Sequence, residues 1–314
     1  MNSPQLKAIQ ALRSISRNEE IKRYLLENPS LYKIVLKAAM RFIGGETLEE
    51  CFVTAKIIAE KGHAFTVDFM GESTRDEKMA NEATEEFLKV IEEIKRTQSN
   101  ASVSLDLSHI GMSISTKLAY KNASLIVKKA QEEHLEVTIS MEGIDRIDDI
   151  LELHKRLSEK YDNVGITLQA YLHRTKKDIT EALKRSGKIR LVKGAFEVSK
   201  EFALPWGEET NAAYKKYLEI ILSSNHSISI ASHDEQMLAY ADSFIKENKI
   251  NTDNIEFEML HGVTPALLSQ MHEKGYKTKE YLPYGKEWYL YLCHRLAENP
   301  LNIYQALADA VEVK

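Results

Sequence analysis

The stretch Lys188-Ile-Arg-Leu-Val-Lys193 is a short apolar segment that carries three basic residues, and Gly194 follows it directly. A segment of this length beside a glycine predicts a buried β-strand. The amphipathic pattern near 208–224 then predicts a helix. Together they form one strand–helix unit.

The same unit recurs on both sides of this stretch. Further strands are predicted at 64–70, 102–109, 135–141, 165–171, 227–232, 255–259 and 278–282. Helices are predicted between strands near 74–97, 114–133, 146–160, 177–186, 208–224, 234–248 and 264–274. Alternating strands and helices imply parallel strands, and eight units in about 250 residues have the size of a (β/α)8 TIM barrel. An open doubly wound sheet is the alternative, but no G-x-G-x-x-G motif follows any strand.

The first 61 residues contain helical patterns only. A capping box begins at Thr47, and Gly62 ends the helix that follows it. We therefore predict an N-terminal helical arm over residues 1–61 and a barrel catalytic domain over residues 62–314.

Composition places the chain among ordinary globular proteins. Its 314 residues are 43% hydrophobic and 28% charged, and the net charge of −5 gives no broad field for nucleic acid. The two cysteines, Cys51 and Cys293, form neither a metal-binding spacing nor a disulfide framework. With no secretory signal and no apolar run long enough to span a bilayer, we predict a cytoplasmic protein. Peripheral contact with the inner face of a membrane stays open.

Arg190 and Lys193 lie at the carboxyl end of a predicted strand, where barrel enzymes place their chemistry. They suit an anionic or electron-rich ligand, such as phosphate or a flavin ring. The alternative is an arginine paired with a carboxylate on a neighbouring strand, and the spacing alone favours that pairing.

A second group of polar side chains lies near the C-terminus. On a helix, Tyr291, His294, Arg295 and Glu298 share one face, beside Trp288. Such a face can bind a small carboxylate, with Glu298 orienting Arg295. A solvated surface is the alternative, although the aromatic residues argue against it.

Other polar strand ends are weaker signals. Gln169-Ala-Tyr171 and Ser232-His233-Asp234 each follow a strand, but a structural role is the commoner explanation for a lone histidine such as His233. No H-E-x-x-H, G-x-S-x-G or P-loop pattern is present, so metal hydrolysis, α/β-hydrolase chemistry and P-loop nucleotide binding lack support. We predict no metal site.

Taken together and in order, these segments resemble the proline dehydrogenase family. The resemblance runs from about Phe42 to Leu307. It rests on Gly44-Gly-Glu-Thr-Leu-Glu-Glu50, Asp68-Phe-Met-Gly-Glu-Ser73, Ser104-Leu-Asp-Leu-Ser-His-Ile-Gly111, Met141-Glu142, Gln169-Ala-Tyr-Leu-His-Arg174, Arg190-Leu-Val-Lys-Gly-Ala195, Phe257-Glu-Met-Leu-His-Gly262 and Tyr281-Leu-Pro-Tyr-Gly285.

The resemblance implies a distorted (β/α)8 barrel whose C-terminal helix caps the active site. It implies FAD-dependent oxidation of L-proline to Δ1-pyrroline-5-carboxylate, with a quinone as electron acceptor. A separate pyrroline-5-carboxylate dehydrogenase would consume the product, because 314 residues leave no room for that module.

The resemblance also implies roles for individual residues. Arg190, Ser140 and Tyr281 take the catalytic positions, with Arg190 near the reactive nitrogen of the flavin. The implied substrate contacts are Asp106, Leu191, Tyr291, His294, Arg295 and Glu298. The implied FAD contacts are Met141, Gln169, Arg190, Val192, Lys193, Gly194, Ser232 and His233. We expect that Arg190→Ala abolishes activity while the fold survives.

Three departures from the family pattern lower the positive charge of the expected pocket. Asp106 stands where the family has lysine, Ser140 where it has aspartate, and His294 where it has arginine. A further change puts Glu258 where the family has glutamine. Three hypotheses stay open: proline oxidation, oxidation of a related cyclic or secondary amine with the carboxylate absent or masked, and a flavin-binding protein that has lost catalysis.

Overall fold

The computed structural model describes residues 3–16, 18–196, 198–299 and 301–311. Its centre is a closed barrel of eight parallel strands in sequential order, β1 to β8. The strands are β1 (Ala64–Phe69), β2 (Ala101–Leu105), β3 (Val137–Ile139), β4 (Val164–Gln169), β5 (Ile189–Val192), β6 (Ile228–Ala231), β7 (Ile255–Leu260) and β8 (Lys277–Tyr284). The predicted (β/α)8 barrel is confirmed.

Helices precede, surround and follow the barrel. They are α1 (Ser3–Ser16), α2 (Glu19–Glu27), α3 (Pro29–Ala39), α4 (Leu48–Glu60), α5 (Glu77–Thr97), α6 (Thr116–Glu132), α7 (Ile147–Ser158), α8 (Thr175–Ala182), α9 (Glu208–Ser223), α10 (Glu235–Glu247), α11 (Pro265–Glu273), α12 (Trp288–Glu298) and α13 (Leu301–Val311). Among the described residues, no helix is both long enough and apolar enough to cross a bilayer.

The strand predicted at 102–109 is too long. The strand ends at Leu105, and the chain then forms a π-helical turn over Ser108–Met112. The Met112 N–H donates to the Leu107 carbonyl at 2.9 Å, and Gly111 has a φ of 117°. Glycine adopts that backbone conformation without strain, so the chain can turn here.

The inside of the barrel is polar, while the outer face of the sheet is apolar. Thr66, Ser104, Arg190 and Glu258 contact one another across the interior. Residues at alternating positions, such as Val103, belong to the large core shared with the surrounding helices. Barrel interiors more often contain branched apolar side chains, so this one is unusually rich in hydrogen bonds.

Helix α4 covers the outside of β1 and β8. Its buried residues Cys51, Ala55 and Ile58 belong to the same hydrophobic core as the strands. The predicted domain boundary after residue 61 would separate α4 from the barrel, although the two share a core. The division at 61/62 stays a prediction.

Helix α12 lies at the carboxyl end of the barrel and is held there by the N-terminal helices. It packs against α1 and α3. The Trp288 indole donates to Tyr32 at 3.1 Å and to Glu46 at 3.0 Å, and the Tyr289 hydroxyl donates to the Ile15 carbonyl at 3.1 Å. A second apolar cluster, with Met70 at the end of β1, fills the interface. The N-terminal arm thus positions the helix that carries Tyr291 and Arg295.

Two strands approach closely at the amino end of the barrel, at Gly187. A Cβ atom there would lie 1.6 Å from the Val164 carbonyl oxygen, which is a backbone atom and cannot rotate away. We expect Gly187→Ala to lower the free energy of unfolding by roughly 2–3 kcal/mol, because overpacking forces the backbone to shift.

Urea unfolding measures this effect, and the exposed neighbour Ser186 provides the control. Ser186→Ala should change the free energy of unfolding by no more than about 0.5 kcal/mol. Equal stability of the two variants would contradict the close approach of β4 and β5.

Candidate active site

A group of half-buried residues lies at the carboxyl end of the barrel, and we call the region between them the recess. The residues come from several strand ends and from α12. These residues are Asp68, Asp106, Ser140, Val192, Lys193, His233, Tyr281, Tyr291 and His294. Most of the predicted site residues thus meet at one end of the fold.

Arg190 is buried and paired with Glu258. Its Nε donates to Glu258 Oε2 at 2.7 Å, and its Nη2 donates to Glu258 Oε1 at 2.9 Å. Its Nη1 donates to Ser104 at 3.0 Å and to Thr167 at 3.4 Å. Arg190 therefore has a carboxylate partner, as in the alternative from the sequence, but the partner lies on β7, two strands away, and not on a neighbouring strand.

Glu258 is held as a carboxylate by several donors. Besides Arg190, Thr66 donates to it at 2.9 Å and Ser229 at 2.6 Å. Burial alone would raise the pKa of Glu258, but Arg190 and Lys279 lower it to about 2. Because Arg190 neutralises this buried charge, we expect Arg190→Ala to destabilise the fold as well as to lower activity.

Tyr281 lies beside Arg190. The Arg190 guanidinium lies 5.1 Å from the centre of the Tyr281 ring. Burial raises the pKa of Tyr281 well above its ordinary value, and the charge of Asp68 raises it further. Tyr281 therefore remains a hydroxyl donor. Burial raises the pKa of Asp68 to about 6, although Tyr281 and Arg190 act in the opposite direction.

Ser140 and Asp106 lie near Ser104 at the same end of the barrel. The Ser104 and Ser140 hydroxyls lie 3.2 Å apart, and Asp106 follows β2 directly. Burial raises the pKa of Asp106 well above its ordinary value, and Glu142 and Asp68 raise it further. Two carboxyl groups thus share the recess.

Helix α12 brings a cation and a phenol to the recess. Arg295 is 7% exposed, and its Nη2 donates to Glu298 at 2.7 Å. Its guanidinium lies 4.8 Å from the centre of the Tyr291 ring. The Arg295 Nε and the Tyr291 hydroxyl are buried and have no hydrogen-bond partner among the described residues. Donors in this state suit an acidic ligand.

The other two predicted substrate contacts differ in placement. His294 is half-buried on α12, beside Arg295. Leu191 is completely buried in the core, and strand alternation directs it away from the interior side occupied by Arg190. The structure does not bring Leu191 together with the other predicted substrate contacts.

The predicted cofactor residues form a continuous arc along the ends of β3 to β6. Met141 and Gln169 are buried, and Val192 is half-buried at the end of β5. Gly194 has a φ of 118°, and a Cβ atom there would lie 2.2 Å from the Tyr171 ring. A side chain at position 194 would therefore disturb the arc.

Charged and polar groups complete this arc on β5 and β6. Lys193 donates to Asn211 at 2.6 Å and pairs with Asp234 at 2.5 Å. Ser232 accepts a bond from the Asp234 N–H at 3.2 Å, and the His233 Nε2 accepts one from the Leu260 N–H at 2.8 Å. Burial, with Arg295 nearby, lowers the pKa of His233 to about 4, so its ring is neutral.

Three residues of the site had no role assigned from the sequence. Asp68 and Ser104 lie at inward positions of β1 and β2, and Glu258 lies at an inward position of β7. The available signal was the alternation of polar and apolar residues in these strands, as in Ala64-Phe-Thr-Val-Asp68. Within the described residues, no group of three or more His, Cys, Asp or Glu side chains is arranged to hold a metal ion.

Comparisons with known proteins agree with one another. A family model described as proline dehydrogenase matches residues 51–305. The chain is 36% identical to proline dehydrogenase 2 of Bacillus subtilis strain 168 over 266 residues, which are 85% of this chain and 88% of that protein. It is 31% identical to proline dehydrogenase 1 of the same strain over 284 residues, 89% of this chain and 94% of that protein.

A solved structure shares the fold. The crystal structure of proline utilization A from Bdellovibrio bacteriovorus, inactivated by N-propargylglycine, superimposes with a TM-score of 0.82 at 22% identity. The match covers 99% of this chain and 38% of that one.

Proposed function

This chain belongs to the proline dehydrogenase family, and from that premise we propose that it oxidises L-proline to Δ1-pyrroline-5-carboxylate with bound FAD. The family consists of flavin-dependent oxidoreductases that act on CH–NH donors. One observation carries the proposal for this chain. The Arg295 Nε and the Tyr291 hydroxyl are buried without partners among the described residues, and their side chains lie near His233 and Asp68, at the same end of the barrel as Arg190 and Tyr281.

The arc from β3 to β6 suits a flavin. It combines the buried Gln169 amide, on β4, with two cations from the neighbouring β5 and its carboxyl end, Arg190 and Lys193. We assign FAD to this arc, with Met141, Val192, Gly194, Ser232 and His233 completing it. When bound, the cofactor supplies the acceptor for a hydride, and the protein supplies orientation and electrostatics.

The substrate carboxylate is assigned to Arg295. Its pairing with Glu298 directs the guanidinium and leaves Nε available. A guanidinium presents parallel donors that match a carboxylate. Tyr281, Tyr291 and His294 border the same space. We assign the catalytic positions in the recess to Arg190, Tyr281 and Ser140.

A related cyclic or secondary amine is the second candidate substrate. The observation that favours it is the presence of Asp68 and Asp106 in the recess, because two carboxyl groups disfavour a third. Such an amine would lack the carboxylate or carry it in masked form.

The wider context follows from the same chemistry. We propose a quinone as the electron acceptor, a separate pyrroline-5-carboxylate dehydrogenase for the product, and a cytoplasmic protein with peripheral membrane contact. The arm over 1–61 and the catalytic barrel over 62–314 are the proposed organisation.

An anaerobic titration with L-proline tests the function. The purified protein is loaded with FAD, and the flavin absorption band is followed as L-proline is added. Bleaching of the band is the expected result. A yellow protein that L-proline does not bleach would exclude proline, and a protein that takes up no flavin would exclude the proposed function altogether.

A further inference from the structure

The recess holds an acidic network that the proposed oxidation has not yet used. Asp68 on β1 is in register with Ser104 on β2, and Asp106 follows β2 directly. The Ser104 and Ser140 hydroxyls lie 3.2 Å apart. These four residues form the acidic network, which places two carboxyl groups at the ends of neighbouring strands.

The cations around this network are already committed to other carboxylates. Arg190 pairs with Glu258 through two bonds of 2.7 and 2.9 Å. Arg146 pairs with Glu142 at 2.8 Å. Two carboxyl groups close together in a low-dielectric space lack a counter-charge, so either a proton or a cationic ligand stabilises them.

We infer that Asp106 binds the ammonium group of the substrate and accepts its proton, an inference that rests on the proposed function. An ammonium nitrogen has no lone pair with which to form a C=N bond, so the amine must be neutral before a hydride can leave the adjacent carbon. In the step assigned to Asp106, one N–H bond breaks and one O–H bond forms on the carboxylate. The nitrogen keeps the electron pair, and no electrons leave the substrate.

The surroundings of Asp106 suit a base of raised proton affinity. It is faced by Asp68 and Glu72 from the β1 side, by Ser140 and Glu142 from the β3 side, and by Tyr281 from β8. Burial, Glu142 and Asp68 all raise the pKa of Asp106. A base must be ionised to accept a proton, so the rate should rise as pH increases through the pKa of Asp106.

Asp106→Asn tests the inference, because the amide keeps the shape of the side chain and cannot accept a proton. The rate of flavin reduction by L-proline is measured anaerobically between pH 6 and 10. We expect a loss of roughly 10²–10⁴-fold near neutral pH, the usual contribution of a general base. The loss should shrink at alkaline pH, where water removes the proton instead.

Glu72→Gln is the matched control, since it removes one of the charges that raise the pKa of Asp106 and leaves the Asp106 carboxyl group in place. Its maximal rate should follow that of the wild type, and its pH profile should shift slightly toward lower pH. If Asp106→Asn keeps the wild-type profile within about threefold, or if Glu72→Gln reproduces its loss, the assignment of the proton to Asp106 is wrong.

A binding measurement separates this inference from the proposed function. The probes are pyrrolidine, which has the ammonium without the carboxylate, and tetrahydro-2-furoic acid, which has the carboxylate and a ring oxygen. Their dissociation constants come from perturbation of the flavin spectrum. Asp106→Asn should raise the dissociation constant of pyrrolidine at least tenfold. It should leave the dissociation constant of tetrahydro-2-furoic acid unchanged or lower it.

These opposite effects on the two probes are expected even if L-proline fails to bleach the flavin of the wild type. That failure would contradict the proposed function alone. Pyrrolidine that binds both proteins equally, or binds neither, would overturn the role of Asp106 whatever the result with L-proline.

Discussion

Replacing Arg190 with methionine is expected to lower the free energy of unfolding by roughly 3–5 kcal/mol, in addition to abolishing flavin reduction. Truncating one partner of a buried ion pair leaves the other charge without compensation, and costs of this size are typical. Glu258 would keep its bonds from Thr66 and Ser229 but lose both bonds from Arg190. Urea unfolding measures the loss.

The double variant Arg190→Met with Glu258→Met provides the control. Because it removes both buried charges, it should be more stable than Arg190→Met alone. If the free energy of unfolding lost in the double variant equals the sum of the losses in Arg190→Met and Glu258→Met, the two residues do not depend on each other, contrary to the structure.

The pH dependence of Arg190→Met follows from the same pairing. In the wild type Arg190 and Lys279 lower the pKa of Glu258 to about 2, so the carboxylate stabilises the fold above its unfolded pKa. Without Arg190, burial raises the pKa of Glu258 above its unfolded value. Protonated Glu258 then favours the fold at low pH, so the deficit of the variant should be smaller at pH 5 than at pH 8. A deficit independent of pH would argue against an uncompensated Glu258.

The contacts of Arg190 also show where sequence reasoning ends. The strand at Ile189–Val192 was predictable from its apolar residues, and so was the position of Arg190 near its carboxyl end. Its partner was not, because β5 and β7 are separated by β6. Only the closed barrel brings their inward side chains together, and closure is a property of all eight strands.

The same reason applies to α12. The shared face of Tyr291, Arg295 and Glu298 follows from helical spacing alone. What holds the helix over the barrel is Tyr289 against Ile15 and Trp288 against Tyr32, and these contacts join opposite ends of the chain. Helical periodicity reports which residues share a face but not which element covers that face.

Asp106 shows a different limit. Its substitution for lysine was visible in the sequence and indicated a pocket with less positive charge. The structure adds that Asp106 follows β2 directly, that Asp68 is in register with Ser104, and that Ser104 lies 3.2 Å from the Ser140 hydroxyl. The changes at positions 106 and 140 therefore fall in one acidic part of the recess, which suits the amine of the substrate rather than its carboxylate.

Replacing Arg295 with methionine is expected to lower kcat/KM for L-proline by about 10²–10³-fold. Removing one partner of a buried charged contact costs roughly 2–5 kcal/mol, and each 1.4 kcal/mol is about tenfold in an equilibrium or rate ratio. Arg295 should carry most of this contact, because its Nε is buried without a partner among the described residues.

Pyrrolidine distinguishes loss of this contact from general damage, because it has the reacting amine and no carboxylate. Arg295→Met should change the rate with pyrrolidine by less than about threefold, since no bond to that substrate is lost. Arg295→Lys keeps the charge but loses the paired donors of the guanidinium, so it should fall between the wild type and Arg295→Met for L-proline. Equal losses with both substrates would place the role of Arg295 in holding α12, through Glu298 and the bond from Asn302 to its carbonyl, rather than in binding the carboxylate.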